Sequence, residues 1–512
     1  MTRRLSIITA VLAAFAFAVP SAAMAASHPT QSNITTQHTH PHEPIDDLRF
    51  STFLGGASND FYSDIAIDDD GYIYVAGRTT SADFPTTPKA FDRTMSTDTC
   101  DSELCGDVFI AKLDPKGRKL IYSTFLGGNH VEYSFGIAVD QQGAAYITGA
   151  TRSSDFPTTP GAFDSTLDSD GSIFMAKLSP NGRKLIYSTL IGLGQSQKIA
   201  VDNQGATYIT GTTTSPNFPV TQGAFNTTKN GGTDAFLLKL NKTGTALVYS
   251  TFFGGSGEDY AKAIAIDDDG AAYIAGQTLS ADLPVTAGVF GSQFGGSSDS
   301  FVAKFNRWGS NLSYATYIGG QYNDSANAIA IDQQGAAYIT GFTLGDYPVT
   351  SGAYDATYND VQDDGQPDTV ITKLNPNGSQ LVYSTYVGSF TEDFGRSIAV
   401  DQHGEAYITG ATLGEFPVTP GAFDTTFNTS RDIDAYALRL NSAGSALLYS
   451  TYLGGDESAE EGWGIVLDKR GVAVIVGHTQ STDFPTTAKA HDTSYNGGNN
   501  DIFITKLSMP AL

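Results

Sequence analysis

Tyr249 to Gly255 reads YSTFFGG, and a stretch very close to it occurs seven times along this chain of 512 residues. The copies begin at Phe50, Tyr122, Tyr187, Tyr249, Tyr314, Tyr383 and Tyr449. Successive copies start 72, 65, 62, 65, 69 and 66 residues apart. Aromatic and β-branched residues closed by glycine at so regular a period indicate an array of one supersecondary unit. Each unit must then bury its apolar faces against its neighbours.

A second pattern in every repeat predicts a tight β-hairpin. A short apolar strand, AIAI over 263–266, is followed by Asp267-Asp268-Asp269-Gly270 and then by AAYIAG. An Asp that opens a turn accepts backbone N–H groups, and a Gly that closes it supplies a positive φ. The other copies open at Asp68, Asp140, Asp202, Asp332, Asp401 and Asp468. Five of the seven copies replace the middle acids, so the pattern favours a turn over a calcium loop.

Two further strands complete each repeat, and together the four strands predict the fold. Seven units of four short strands, apolar on both faces, are typical of an all-β, seven-bladed β-propeller. A strand of the fourth type, Leu48 to Leu54, precedes any first strand, and the last strand, which ends at Leu507, is of the third type. We therefore expect the N-terminal strand to complete the last blade and close the ring. The propeller is predicted over 48–507, with a C-terminal tail over 508–512.

The sequence resembles the SBBP, or β-propeller repeat, family of secreted bacterial proteins. The resemblance covers Phe50 to Leu507 and is carried by YSTFLGG, the AIAIDxxGxAYITG hairpin, the DFPTTPGAFD connection and the DxFxAKL strand. It implies an extracytoplasmic propeller, commonly without an assigned reaction. A fold of this kind does not give the function by itself.

The first 47 residues are interpreted as two segments, an export signal followed by a leader. Arg3 and Arg4, the apolar segment Leu5 to Val19 and the small residues Ala23-Met24-Ala25 are typical of a signal peptide over 1–25. No other segment is long and apolar enough to span a bilayer, so we expect the mature protein in the periplasm, at the cell surface or in the medium. Residues 26–47 are interpreted as a flexible leader, and their histidines leave a transition-metal site as the alternative.

The charge and the cysteines restrict the partners and the compartment. The formal net charge of -25 argues against nucleic acid, because phosphate binding needs a basic patch. It permits cation binding, but an acidic surface also keeps proteins soluble. Only two cysteines occur, Cys100 and Cys105, and export favours a disulfide between them that closes a small loop. Metal ligation by the pair, or two free thiols, are the alternatives.

Acidic residues recur at two positions that the propeller fold brings to one end of its channel. The first set precedes the first strands: Asp60, Glu132, Asp259, Asp324, Asp393 and Glu461. The second set opens the third strands: Asp107, Asp234, Asp299, Asp368, Asp434 and Asp501, with Ser172 as the exception. A ring of carboxylates around the channel mouth would bind Ca²⁺ or a cationic ligand, and the first set is our candidate metal site.

The alternative is that these acids are structural. They would then accept loop N–H groups or pair with the basic residue five positions into each third strand. These bases are Lys112, Lys177, Lys239, Lys304, Lys373, Arg439 and Lys506. Repetition in nearly every unit favours the structural alternative, since a catalytic residue need occur only once. The unit at Tyr187 has a shorter loop without an acid, which predicts either a groove or ordinary variation in loop length.

The long connections repeat as well. DFPTTPKAFD over 83–92 suggests one helical turn, with its second Phe packed on the blade. The tips that follow vary between units, over 93–105, 168–172, 358–368 and 427–434. Variable tips on a rigid body are suited to ligand recognition.

The sequence does not predict a catalytic site. His130, His403, His478 and His491 stand at non-equivalent positions and match no metalloprotease spacing. We expect an exported, monomeric, non-catalytic propeller that binds a protein or a glycan, with no cofactor other than possible Ca²⁺. An extracellular carbohydrate-active hydrolase or lyase that uses paired carboxylates is one alternative. A structural component of a cell-envelope assembly is another.

Overall fold

The computed structural model describes residues 47–96, 106–359, 365–427, 433–456 and 458–511, and all regular structure in them is β. The first 13 strands are β1 Leu48–Leu54, β2 Asp60–Ile67, β3 Ile73–Thr79, β4 Asp107–Leu113, β5 Leu120–Leu126, β6 Glu132–Val139, β7 Ala145–Thr151, β8 Ser172–Leu178, β9 Leu185–Leu190, β10 Gln195–Val201, β11 Thr207–Thr213, β12 Asp234–Leu240 and β13 Leu247–Phe253. The others are β14 Asp259–Ile266, β15 Ala272–Thr278, β16 Asp299–Phe305, β17 Leu312–Ile318, β18 Asp324–Ile331, β19 Ala337–Thr343, β20 Asp368–Leu374, β21 Leu381–Val387, β22 Asp393–Val400, β23 Ala406–Thr412, β24 Asp434–Leu440, β25 Leu447–Leu453, β26 Glu460–Leu467, β27 Ala473–Thr479 and β28 Asp501–Leu507.

These strands form seven antiparallel four-stranded sheets, the blades. Blades 1 to 6 are β2–β5, β6–β9, β10–β13, β14–β17, β18–β21 and β22–β25, and blade 7 consists of β26, β27, β28 and β1. In blade 7, Phe53 of β1 lies opposite Phe503 of β28, and Leu54 lies opposite Ile502. The predicted seven-bladed propeller, closed by the N-terminal strand, is confirmed.

The first strand of each blade lies at the inner edge of its sheet. Each first strand contacts the first strand of the next blade, and β26 contacts β2, so the seven enclose the central channel. The ring has two ends. We call the end with the Asp68–Gly71 type of turn the hairpin end, and the end where the first and third strands begin the acid end.

The hydrophobic core lies between the blades. Each cluster of buried apolar residues combines side chains from neighbouring sheets, as where Tyr273 and Tyr314 of blade 4 pack with Ile339 and Tyr386 of blade 5. Such packing of both faces explains why the strands carry apolar residues without a clean polar alternation. A blade therefore depends on its neighbours for stability, as the repeat predicted.

In blades 1 to 6, a glycine turn packs against the aromatic residue that opens the YSTxxGG stretch of the preceding blade. Gly309 has a φ of 63°, and a Cβ on it would lie 2.3 Å from the Tyr249 ring. Its carbonyl accepts a hydrogen bond of 2.9 Å from the Phe225 N–H of an earlier connection. Only glycine combines a positive φ with so close an approach to an aromatic ring. Gly117, Gly182, Gly244, Gly378 and Gly444 lie on Phe50, Tyr122, Tyr187, Tyr314 and Tyr383 in the same way.

The predicted hairpin turn is confirmed. Its aspartate also shows that one alternative for the acids at the channel mouth, pairing with the basic residues of the third strands, is wrong. Asp267 Oδ1 accepts a hydrogen bond of 2.8 Å from Ala271 N–H, and Gly270 has a φ of 79°. Lys304 Nζ lies 3.2 Å from Asp267 Oδ2. The third-strand lysines thus pair with the hairpin aspartates, not with the acids that open their own strands, since five residues of extended chain separate the two. The other pairs are Lys112–Asp68, Lys177–Asp140, Lys239–Asp202, Lys373–Asp332 and Lys506–Asp468.

The long connection contains a β-turn where we predicted a helical turn. Ala90 N–H donates to Thr87 O at 3.2 Å, and Lys89 between them has a φ of 69°. Pro followed by a positive φ gives a type II turn, which cannot continue as a helix. Phe91 is partly buried and packs against the core between blades 1 and 2, as predicted. Phe84 is packed more deeply: it is 3% exposed and stacks on Phe109 with ring centroids 4.4 Å apart.

Replacing Lys89 with Gly is expected to stabilise the protein slightly. Five other blades carry glycine at this position: Gly161, Gly223, Gly288, Gly352 and Gly421. A lysine there has a strained φ, and its removal is expected to gain about 1 kcal/mol at most, because glycine also raises the entropy of the unfolded chain. The reverse change, Gly161→Lys, is the matched control, since no atom lies within 4 Å of its Cβ position. Chemical denaturation should move the two variants in opposite directions. A Lys89→Gly variant less stable than the wild type would contradict the expectation.

Candidate functional site

The acids at the acid end meet in pairs between neighbouring blades rather than in one ring around the channel. A Cβ on Gly319 would lie 2.6 Å from Asp324 Oδ2 and 2.7 Å from Asp299 Oδ1, so the first-strand acid of blade 5 faces the third-strand acid of blade 4. Asp299 is 1% exposed and Asp324 is 0% exposed. We call such couples junction pairs. They are Asp501/Asp60, Asp107/Glu132, Asp234/Asp259, Asp299/Asp324, Asp368/Asp393 and Asp434/Glu460.

The first-strand acids accept hydrogen bonds from the chain around them. Asp259 accepts from the hydroxyls of Thr278 and Ser280, the latter at 2.8 Å, and from Gly255 N–H at 2.8 Å. Glu132 is held in the same way by Thr151 at 2.7 Å and Ser153 at 2.5 Å. These contacts fix the loop that links two blades. They supply the loop N–H role that the structural alternative predicted.

In blade 7 the structure places Glu460, not Glu461, at the equivalent position. Glu460 lies opposite Thr479 in the sheet, as Asp60 lies opposite Thr79. Glu461 is the next residue along the strand, so its side chain points to the other face. Its Oε2 lies 3.4 Å from Arg396 Nη2 in blade 6. Two adjacent glutamates made this register ambiguous in the sequence.

The junction between blades 2 and 3 lacks both acids. Ser172 replaces the third-strand acid, and Gly194 lies where the first-strand acid would be. Thr213 Oγ1, the counterpart of the Thr that binds the acid, donates instead to Leu193 O at 2.6 Å. The shortened loop therefore removes the pair as a unit, which indicates that the two acids act together.

Burial raises the pKa of the junction acids. The pKa of Asp60 rises from 3.8 to about 6, mainly through burial, and that of Asp501 rises to about 7 through burial and the facing charge of Asp60. One oxygen of each, Oδ1, has no hydrogen-bond partner. Two buried carboxylates facing each other need a shared proton or a cation. The structure brings no three acidic, His or Cys side chains of its described residues together for a metal ion. The calcium site stays a prediction.

The channel wall contains a feature that the sequence analysis missed. Each first strand has a β-bulge, and the extra residue is half-buried. The seven bulge residues are Ser63, Phe135, Gln197, Lys262, Asn327, Arg396 and Trp463. They are seven different amino acids, whereas the residue two positions later is Ile in all seven blades. Bulges re-aim a side chain out of the regular alternation. Aligning the repeats would have revealed this variable position.

On one side of the channel the bulge residues form a polar and aromatic cluster. Lys262 Nζ donates to Ser325 Oγ at 2.7 Å and to Asn327 Oδ1 at 3.4 Å. The Arg396 guanidinium lies 4.3 Å from the centroid of the Trp463 ring. Burial, followed by the charge of Arg396, lowers the pKa of Lys262 to about 8.

On the opposite side of the channel, an ion pair links blade 3 to blade 1 across blade 2. Lys198 Nζ of blade 3 lies 2.6 Å from Asp64 Oδ1 of blade 1. Gly136 of blade 2 occupies the position equivalent to Asp64, and a Cβ there would lie 3.3 Å from Lys198 Cα. The absence of a side chain at Gly136 lets the lysine cross blade 2. The two sides of the channel therefore differ in chemistry.

The four histidines of the propeller do not come together. His478 lies beside Trp463, with ring centroids 6.2 Å apart, and burial lowers its pKa. His403 lies in a hairpin turn, and His130 N–H donates to Ser153 Oγ in a junction loop. His491 belongs to the last long connection and donates its N–H to Gly117 O.

Several predicted features lie outside the described residues. These are the signal peptide over 1–25, nearly all of the leader over 26–47, and both Cys100 and Cys105. Large parts of the tips over 93–105, 358–368 and 427–434 also fall there. The disulfide stays a prediction. The tip over 168–172 is described: it is a turn in which Gly171 N–H donates to Asp168 O at 3.1 Å.

Comparison with family models decides the nature of the repeat. The model described as "SBBP: Beta-propeller repeat" matches residues 49–85, 248–284 and 382–417. Three segments of this chain therefore match the SBBP repeat. The matched segments cover the YSTxxGG strand, the bulged first strand, the hairpin and the start of the long connection, so the resemblance drawn from the sequence is confirmed.

The chain is also similar to solved structures. The crystal structure of the WD40 beta propeller domain of Doa1 is 9% identical, covers 90% of this chain and 96% of its own, and has a TM-score of 0.45. A chain in the crystal structure of the Mitotic Checkpoint Complex is 8% identical, covers 95% and 98%, and has a TM-score of 0.45. No curated protein matches the chain. In the described part of the chain, no helix has the length and apolar character needed to cross a membrane.

Proposed function

We propose that this SBBP propeller is an exported, non-catalytic binding module whose ligand enters the channel lined by the seven bulge residues. One observation carries the proposal: a bulge position on the regular first strand holds a different residue in each of the seven blades. Residues that maintain the fold recur in every blade, such as the Ile two positions later. A position that differs in every blade, and that faces the channel, is suited to a ligand without sevenfold symmetry.

Features of the sequence support the partner and the location that we propose. The signal peptide over 1–25 and the net charge of -25 support an extracytoplasmic protein that does not bind nucleic acid. Aromatic and hydrogen-bonding side chains at the bulge positions suit a glycan or a peptide, because rings stack on flat groups and amides pair with hydroxyls. We propose that the propeller acts as a monomer.

Calcium is proposed at the junction pairs rather than at the channel mouth. Two facing carboxylates provide the oxygen ligands that Ca²⁺ prefers, and a cation there would replace the proton that the pair otherwise needs. Its role would be to stabilise the contact between two blades. This proposal is separate from the binding of the ligand, since the junction acids are enclosed between the blades and Asp60, for example, is 0% exposed.

Because the repeated acids are enclosed between the blades, they are poorly suited to act as the catalytic carboxylates of a glycoside hydrolase. A substrate has to reach both carboxyl groups. The carboxylates beside the channel bulges, Asp64 and Glu461, each lie in an ion pair, with Lys198 and with Arg396. These contacts support electrostatic and structural roles for the two acids.

Screening the mature protein on glycan and peptide arrays is expected to identify a ligand that depends on the channel. A double variant with Trp463→Ala and Gln197→Ala should weaken binding of each genuine hit by about tenfold or more, because large interfacial side chains dominate binding energy. The matched control is Gln142→Ala with Gln334→Ala, two exposed residues of the hairpin turns. Hits that survive the channel change and are lost in the control would contradict the proposal. An absence of hits would favour a structural role in an envelope assembly.

A further inference from the structure

We propose that the side of the channel formed by blades 4 to 7 binds an oxyanion group of an acidic ligand, between Lys262 and Arg396. The inference rests on the proposed function and names the chemistry that one half of the channel recognises. Carboxylate, sulfate and phosphate groups share the chemistry required, namely negatively charged oxygens that accept hydrogen bonds from ammonium and guanidinium donors.

Lys262 is a cation without a carboxylate partner. Its Nζ contacts only neutral oxygens among the described residues, those of Ser325 at 2.7 Å and Asn327 at 3.4 Å. By contrast, Lys198 on the other side of the channel is paired with Asp64 at 2.6 Å. A lysine ammonium in a partly enclosed site is normally neutralised, so an anion from outside the chain fits the position. The lowered pKa of Lys262 is consistent with its unneutralised environment.

Arg396 supplies the second set of donors. One edge of its guanidinium reaches Glu461, where Nη2 lies 3.4 Å from Oε2, a distance that leaves the pair loose. Its Nε is buried and has no hydrogen-bond partner. The guanidinium packs against two rings, with the Trp463 centroid at 4.3 Å and the Phe394 centroid at 4.9 Å. Such packing fixes the direction of the N–H donors.

Asn327 connects the two cations. Its Oδ1 lies 3.4 Å from Lys262 Nζ, and its Nδ2 donates to Gly395 O, the residue before Arg396, at 3.0 Å. The three side chains belong to successive blades and all are bulge residues. They are therefore set on rigid strands rather than on loops. Two cations with an amide between them form a site that an oxyanion can bridge.

Sulfate, inorganic phosphate and acetate are the probes that test this site. The thermal midpoint of the mature protein is measured while each sodium salt replaces sodium chloride at constant ionic strength. We expect the midpoint to rise saturably with at least one of the three. A response to acetate but not to sulfate or phosphate would assign a carboxylate ligand, and the reverse would assign a sulfated or phosphorylated one.

Three variants locate the effect. Lys262→Gln is expected to weaken the saturable response roughly tenfold, since it removes a charged hydrogen bond, and Lys262→Arg to retain it. Lys242→Gln, which removes an exposed lysine at the hairpin end, should respond like the wild type. Arg396→Gln gives a second measurement if Lys262→Gln does not fold. A saturable response unchanged in both channel variants would overturn the proposal, and so would its absence with all three anions. Array hits that are neutral and depend on Trp463 would then leave the binding function standing without the anion site.

Discussion

Deleting Leu48–Leu54 is expected to abolish cooperative folding of the whole propeller. The segment is β1, the outer strand of blade 7, and Phe50, Phe53 and Leu54 in it are 3%, 1% and 1% exposed. Truncating one buried Phe to Ala typically costs about 3–5 kcal/mol, while whole domains are stable by only about 5–15 kcal/mol. Loss of the strand removes three large apolar side chains and leaves β28 as an open edge. We therefore expect aggregation or a molten state, measured by near-UV circular dichroism and calorimetry.

A circular permutant provides the matched control. In the other blades a six-residue turn such as 441–446 joins the third strand to the fourth. Placing that turn between Leu507 and Leu48, and opening the chain between Gly56 and Asn59, restores β1 to blade 7 by a covalent link. The permutant should fold, although the deletion variant does not. A deletion variant that retains the wild-type midpoint would show that β1 does not close the ring.

The second large effect is a fall in stability as the pH rises from 5 to 8 in the presence of a chelator. The folded-state pKa values of Asp60, about 6, and Asp501, about 7, lie above the ordinary value of 3.8. The folded state therefore binds more protons than the unfolded state over this range, and the contribution to stability present at low pH is lost as these groups ionise. A shift of two pKa units corresponds to about 3 kcal/mol for one isolated group.

Other acids set the lower limit of the pH range. Burial alone would raise the pKa of Asp468, but hydrogen bonds from Lys506, Val472 and Arg470 outweigh burial and lower it to about 2. A lowered pKa gives stability above pH 4 that is lost as the pH falls through about 2. The midpoint should therefore be highest near pH 4 to 5.

Asp501→Asn tests the assignment to a junction pair. The amide keeps the shape of the side chain and can donate to Asp60, so the variant should lose less stability between pH 5 and 8 than the wild type. Asp269→Asn, at an exposed hairpin position, should behave like the wild type. Added Ca²⁺ at pH 8 is expected to restore the midpoint of the wild type and to act less on Asp501→Asn. Thermal midpoints that stay flat from pH 5 to 8 with chelator would contradict the account of the pairs.

The sequence was sufficient for the fold because the fold depends on repeated local signals. YSTxxGG, the Asp–Gly turn and the third strand recur in each unit, and the extra strand at Leu48 predicted the closure of the ring. The short connections were less predictable. The turn at Thr87–Ala90 depends on a positive φ at Lys89, and a lysine gives no indication of such a conformation. The glycines at this position in five other repeats do indicate it.

The site was harder to predict from the sequence because it depends on contacts between residues that are distant along the chain. The acids of a junction pair belong to different repeats, so their positions could be read from the sequence, whereas their pairing and their burial could not. The lysines five residues into the third strands were predicted as partners of the acids that open those strands. This prediction was wrong, since the lysine side chains lie at the hairpin end and pair with the hairpin aspartates. The bulge residues were missed for another reason: nothing in a single repeat marks them, and only an alignment of the repeats shows that all seven differ at this position.

Hydrogen–deuterium exchange of the mature protein, with and without its array ligand, tests most directly whether the channel is the binding site. We predict slower exchange at the bulges of the first strands, above all in β14, β18, β22 and β26, with little change at the Asp–Gly turns. Protection confined to the hairpin turns or to the long outer connections would contradict the account. The ligand would then bind the rim, and the variation among the seven bulge residues would need another explanation.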